Sequence, residues 1–367
     1  MQPEYVGILL NDSKYRGIPT SNTGTESLQQ YEEASRMFQL VPCFFRIQDI
    51  SLNTNTVDGY VWTPSGYVIT TLPIPRVIHN RAIHHDPSAQ QVISSLLSTG
   101  TFVFNANTRY GKDIVHLMLL KDPLMQPALP HSLPAKPATI KSMLRQHGDL
   151  VLKPCSGSIG QGIMRLRRGK SYDYFTFSKS SPSANGWRTA RISKGKLPSL
   201  LLKRISSKPF LAQQRIPLAE YDGRPYDIRV TVQRGLCGNW EISGMFARTS
   251  PARTFVSNIA QGGSVYNVQK LFSHSFPGVP PERLVERTSN FAMQTATSLT
   301  RHMPYSADFG IDVAVTQKGE LFFIEANGCD QRYGFREAGM DLTWKETYRK
   351  PMAFARYLLN TGNWPSH

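Results

Sequence analysis

Apolar and polar positions fall into alternating blocks along the first hundred residues. Tyr5–Leu10 is an apolar run and reads as a buried strand. Residues 25–38 carry apolar positions at helical spacing, with Thr25 placed to cap the first turn. Cys43–Ile47 and Arg76–His79 read as strands, Ser88–Leu97 as a helix and Thr101–Asn105 as a short strand. Gly59–Thr71 sets a Pro-Ser-Gly turn between apolar arms, which predicts an edge hairpin. Strands alternating with helices predict an α/β unit built on an open, largely parallel sheet.

The pattern then changes. Residues 111–121 predict a helix beginning near Lys112. Pro123, Pro127, Pro130, Pro134 and Pro137 follow, and proline stiffens a chain it cannot continue as helix, so a connector and domain boundary are expected here. Leu150–Pro154 is a strand entering a glycine loop. Ser178–Ser199 is rich in Ser, Lys, Arg and Gly and is expected to be a mobile lid or hairpin tip. Strands are predicted at Phe210–Ile216, Asp227–Gln233, Trp240–Arg248, Phe309–Thr316 and Leu321–Glu325. A helix over about 281–302 sets the last pair apart, and a final helix runs over about 344–359. There is no internal repeat.

Composition narrows the class. With 367 residues, 40% hydrophobic and 19% charged, the chain has material for two or three domains and is not broadly disordered. No run of about 18 apolar residues predicts a membrane span. The opening ten residues lack the basic and long apolar regions of a secretory signal, so the cytoplasm is the expected location. Cys43, Cys155, Cys237 and Cys329 form no Cys-x-x-Cys pair and suit neither a zinc site nor a disulfide framework. Free thiols in a reducing compartment are expected. His84-His85 has no metal-binding spacing and reads as a loop feature.

The net charge of +16 is unevenly placed. Residues 136–215 hold 17 Lys and Arg against 2 Asp and Glu. Such a block attracts an acidic peptide, protein or other polyanion, or is a solvated face around a triphosphate site. Nucleic acid is not the expected partner, because no aromatic stacking pattern accompanies the charge.

Two motifs carry chemistry. In Leu152-Lys153-Pro154-Cys155-Ser156-Gly157-Ser158-Ile159-Gly160-Gln161-Gly162, a lysine at a strand end precedes a glycine loop. The lysine can meet a phosphate as a point charge, and glycines let backbone N–H groups approach it. The P-loop pattern is absent, and the motif alone is equally an ordinary glycine turn. The second motif is Gly310-Ile311-Asp312-Val313 followed by Leu321-Phe322-Phe323-Ile324-Glu325-Ala326-Asn327. Paired strands would bring Asp312, Glu325 and Asn327 to one end, with Glu325 and Asn327 on one face. Such oxygen ligands suit Mg²⁺ completed by phosphate oxygens and water. Asp and Asn at strand ends are also common turn residues.

In order, the chain reads Lys112, Lys153-Pro154 with its glycine loop, Gln213-Gln214, Asp227-Ile228-Arg229, Asn258-x-x-x-Gly262-Gly263, Asp312 and Glu325-Ala326-Asn327. This series resembles the ATP-grasp superfamily and, within it, the YheC/YheD-like proteins associated with the endospore coat. The resemblance covers about residues 105–355. It implies an ATP-grasp fold, α+β in its C-terminal part, behind an open-sheet domain. The implied units are residues 1–107, a pre-ATP-grasp domain; 108–136, a linker helix and connector; 137–215, the lid; and 216–367, the C-terminal core.

The resemblance also implies roles. Lys112 and Lys153 would contact ATP phosphates, and Ser156, Gly157, Ser158, Gly160, Gln161 and Gly162 would form the phosphate-covering loop. Gln213, Gln214, Arg215 and Ile216 would be a hinge whose backbone meets adenine. Asp312, Glu325 and Asn327 would hold one or two Mg²⁺, with Mn²⁺ as a substitute. Arg229 would stabilise the transferred phosphoryl group. Arg248 and Asn258 would shape the site where carboxylate and phosphoryl meet. The implied activity is an ADP-forming carboxylate–amine or carboxylate–thiol ligase working through an acyl phosphate, linked to sporulation. A spore-coat scaffold without turnover, a polyanion binder and a kinase-type outcome are the competing readings. Gly328–Phe335, which helps form the acceptor site in amide-forming relatives, matches none of their patterns.

Overall fold

The structure is a computed structural model that describes residues 3–84, 86–108, 110–157, 160–178, 186–251, 257 and 262–365. It holds three sheets. The first contains β1 (Glu4–Leu9), β2 (Leu40–Phe45), β3 (Ile50–Ser51), β4 (Thr56–Thr63), β5 (Gly66–Pro73), β6 (Val77–Asn80) and β7 (Phe102–Phe104), with helices α1 (Asp12–Arg16), α2 (Leu28–Met37) and α3 (Pro87–Ser98). β1 pairs in parallel with β2 and β6, and β6 with β7. The predicted hairpin is β4–β5, paired antiparallel. One expectation fails. Thr25 does not cap α2, which starts at Leu28 after Ser27. Glu26 is drawn instead into a buried pair with Arg81, so the chain cannot turn helical there.

Helix α4 (Lys112–Leu120) leads out of this unit. The second sheet runs β8 (Ser132–Pro134), β9 (Asp149–Pro154), β10 (Met164–Arg167), β11 (Tyr172–Ser178), β12 (Trp187–Ser193) and β13 (Phe210–Gln214). Its order is β12-β11-β10-β9-β13-β8, antiparallel throughout. Helices α5 (Pro137–His147) and α6 (Ser199–Ser207) cover one face. Pro137 is not connector but the first residue of α5, where its missing N–H costs nothing. Of 178–199, residues 187–193 are strand β12, paired along all of β11, while residues 179–185, where the expected hairpin tip falls, lie outside the described residues. Cross-strand pairing overrides the polar composition of β12.

The third sheet contains β14 (Glu220–Tyr221), β15 (Arg224–Arg234), β16 (Trp240–Thr249), β17 (Ser264–Tyr266), β18 (Asp308–Val315) and β19 (Leu321–Asn327), in the order β17-β16-β15-β18-β19 with β14 on β15. Helices α7 (Val268–Ser275) and α8 (Pro281–Thr300) pack on it. After α9 (Tyr333–Glu337), the last helix α10 (Asp341–Thr361) buries Tyr348, Met352 and Phe354 in one core with Val6, Ile8 and Phe44 of the first sheet and Phe246 of the third. That shared core fixes the first sheet against the third.

Candidate active site

Alternation along β15 builds one wall. Ile228, Val230 and Val232 enter the core beneath α8, so Asp227, Arg229 and Thr231 take the opposite face. Asp312 of β18 stands opposite Arg229, and Glu325 of β19 stands opposite Asp312. Arg248 of β16 stands opposite Asp227. The register brings the charges into contact. Arg229 Nε donates to Asp312 Oδ1 at 2.5 Å, and Arg248 Nη2 lies 2.9 Å from Asp312 Oδ2. Arg248 also forks onto Asp227 at 2.8 and 2.9 Å, and Ser257 Oγ donates to Asp227 at 2.6 Å.

The lid sheet builds the other wall. Leu150 and Leu152 of β9 point into the lid core, which turns Val151 and Lys153 into the cleft. Gly157, with φ of +144°, carries the loop through backbone that favours glycine. Lys112 ties the walls together. Its backbone N–H meets the Cys155 carbonyl at 2.9 Å, and its ammonium reaches the Gly157 carbonyl at 3.2 Å and Glu325 Oε1 at 2.8 Å. Lys112 thus pairs the Glu325 carboxylate.

The cleft has two chambers. The first lies between the lid and third sheets and is lined by Lys153, Gly157, Gly160, Gln161, Gln213, Gln214, Arg215 and Ile216. The second, about 570 Å³, runs toward Asn11–Lys14 of the first unit and is lined by Arg229, Asn327, Cys329, Gln331 and Tyr333. Lys112, Gly157, Arg248, Asp312 and Glu325 line both, so they mark the junction.

Ser156 is exposed, and neither it nor Gly162 lines a chamber. Ser158 and Asn258 lie outside the described residues. In the hinge, Gln214 and Arg215 already give their amides to the carbonyls of His131 and Asp149, and the Gln213 side chain donates to Ser132. Lid pairing thus consumes most of the donors the sequence offers there.

Electrostatics follow burial. Burial alone would raise Asp312, but the Arg229 and Arg248 guanidiniums override it and hold the carboxyl below its ordinary value. Burial pushes Lys153 down to about 8, with Lys112 adding to the shift and Glu325 opposing it.

Residues 100–358 match the family model described as YheC/D like ATP-grasp. The chain belongs to this family. The endospore coat-associated protein YheD of Bacillus subtilis (strain 168) is 25% identical over 332 residues, covering 86% of this chain and 70% of YheD. YheC of the same organism is 20% identical over 327 residues, covering 85% of this chain and 86% of YheC. The ATP-grasp ligase PsnB, solved with a phosphomimetic variant of its minimal precursor, Mg and ADP, superposes with a TM-score of 0.53. It is 14% identical and covers 98% of this chain and 100% of PsnB. The fold is thus ATP-grasp, as in known ATP-dependent ligases.

The YheC/D-like chain holds site groups that sequence reasoning did not assign. Asp227 is one, and its i, i+2 spacing from Arg229 on a strand was the available signal. Ser257 and Asp330 gave none, since their partners are far away in sequence. Among the described residues, no three His, Cys, Asp or Glu side chains gather to hold a metal by themselves. Asp312, Glu325 and the Asn327 amide line the second chamber together. Hard oxygen donors of this number fit Mg²⁺, which keeps several water or phosphate ligands. Among the described residues no helix is long and apolar enough to cross a membrane.

Proposed function

We propose that this chain is an ATP-dependent, ADP-forming ligase that activates a carboxylate as an acyl phosphate and passes the acyl group to an amine. One observation carries the reading. Lys112, Lys153, Arg229 and Arg248 converge with Asp312 and Glu325 where the cleft between the second and third sheets opens into a second chamber. Phosphoryl transfer needs positioning and charge neutralisation rather than a protein nucleophile.

In this reading Lys153 and Lys112 bind the phosphates, and Gly157, Gly160 and Gln161 cover them. The hinge frames adenine, with the Ile216 backbone as its remaining amide. Mg²⁺, held by Asp312, Glu325 and Asn327, would neutralise phosphate charge; Mn²⁺ fits the same oxygen donors. Arg229 and Arg248 face the carboxylate from the second chamber and stabilise the oxygens of the acyl phosphate. Attack by the amine releases phosphate. PsnB's complex with the precursor peptide PsnA2 and AMPPNP supports a peptide-sized acceptor or acid. The names of YheD and YheC support a role in spore coat formation, with the chain made in the cytoplasm. The lid's charge favours an acidic peptide or protein as partner.

The test is ADP release with pooled amino acids, dipeptides and acidic peptides, read by mass. A product lighter than its parts by one water establishes ligation. A phosphorylated product would establish a kinase instead, and Mg-dependent nucleotide binding without product in any pool would favour a scaffold.

A further inference from the structure

Asp330 is fully buried, yet it lies directly behind the reaction chamber. Its neighbours Cys329 and Gln331 line that chamber, while Asp330 itself turns away. Its Oδ1 accepts from Arg229 Nη1 at 2.7 Å, and its Oδ2 accepts from the Thr231 hydroxyl. Arg81, the residue after β6, donates to its backbone carbonyl at 2.7 Å, and Arg81 is in turn held by Glu26. Space is reserved for the contact. A Cβ at Gly310 would stand 2.3 Å from Asp330 Oδ1 and 3.0 Å from Arg229 Nη1.

We infer that Asp330 is a positioning residue that holds Arg229 at the phosphoryl position when Asp312 is engaged by a cation. The inference rests on the ligase reading above. Arg229 has two carboxylate partners, Asp312 and Asp330. Asp312 is the one a divalent cation would claim, and that cation repels the guanidinium. Asp330 turns away from the chamber, so its two oxygens stay on Arg229 and Thr231. Its anchor, a charge-assisted pair in a buried setting, is the strong kind. Arg81, just after β6, holds the same segment through the Asp330 carbonyl.

The test uses the full chain with Mg-ADP and aluminium fluoride, which stands in for the phosphoryl group in flight. In the unaltered protein fluoride should tighten ADP binding. Asp330→Asn should leave Mg-ADP affinity within about twofold and reduce the fluoride tightening about tenfold or more. Thr231→Val, which keeps all charges, should give a smaller loss in the same direction. Combining Asp330→Asn with Arg229→Gln should cost no more than Arg229→Gln alone, because Asp330 acts through Arg229. Melting curves guard against misfolding. Full tightening in both folded single variants would overturn the inference, as would a lowered melting temperature with unchanged tightening, or no tightening in the unaltered protein. Absence of any Mg-ADP binding to the unaltered protein would overturn the ligase reading and this inference with it.

Discussion

Lys112 Nζ lies 2.8 Å from Glu325 Oε1, although 213 residues separate them. The same ammonium touches the Gly157 carbonyl, so one side chain joins the glycine loop after β9 to strand β19. Glu325 serves Lys112 here and would serve Mg²⁺ when nucleotide arrives. Glu325→Ala should therefore keep the fold and lose the part of ADP affinity that depends on Mg²⁺. Calorimetry with Mg²⁺ and with EDTA separates the two. The loss should be on the order of a few kcal/mol, the scale of metal-borne charge stabilisation. Undiminished Mg²⁺ enhancement would remove Glu325 from the metal site.

Lys153 should make nucleotide binding pH-dependent. Its pKa of about 8 lies below the ordinary value for lysine, so burial of the charged form costs stability below pH 8. That cost fades as pH rises from about 8 toward about 10.5, where the unfolded chain also loses the proton. Phosphates favour the charged form. ADP affinity should therefore fall as pH rises past about 8, by up to about tenfold per unit. Lys153→Met should weaken binding at pH 7 and flatten this slope. A parallel slope in the variant would assign the titration elsewhere.

Nucleotide should protect the loop after β9. Gly157, Gly160 and Gln161 line the first chamber, and backbone amides that cover phosphates exchange slowly once bonded. Hydrogen exchange across residues 152–163 should slow when Mg-ADP is added. Unchanged exchange at saturating nucleotide would detach this loop from the phosphates.

The lid has cations to spare. Asp149 is shared by Arg165 and Arg215, and Asp173 is buried and accepts from the Gly195 amide. These are the only acids among residues 136–215, which hold 17 Lys and Arg. Polyglutamate should bind at low salt and dissociate as salt rises, because screening acts within about 8 Å at physiological ionic strength. Replacing Arg167, Arg168, Lys170 and Arg191 by Gln should weaken polyglutamate and spare Mg-ADP. Equal polyglutamate binding by that variant would make the block a solvated surface.

Much of the framework was written locally. Apolar runs marked strands in each of the three sheets, and the Pro-Ser-Gly turn marked β4–β5, but β8, β10, β11, β12, β14 and β17 were not predicted. Helices α5, α6 and α7 escaped, and each is held by packing against its sheet more than by its own pattern. Thr25 misled because the cap signal is local, whereas the Glu26–Arg81 pair spans 55 residues.

The sequence by itself determined which residue types reach the cleft, since period-two alternation and one buried face leave Asp227, Arg229, Lys153 and Asp312 nowhere else to point. It also set the order of motifs that place the chain in its family. Tertiary structure alone decided who pairs with whom. Lys112 with Glu325, Arg229 with Asp330 and Arg81 with Glu26 are contacts over 213, 101 and 55 residues. A charge has no periodicity and bonds to whatever the fold brings near. Only the tertiary fold brings those partners within reach.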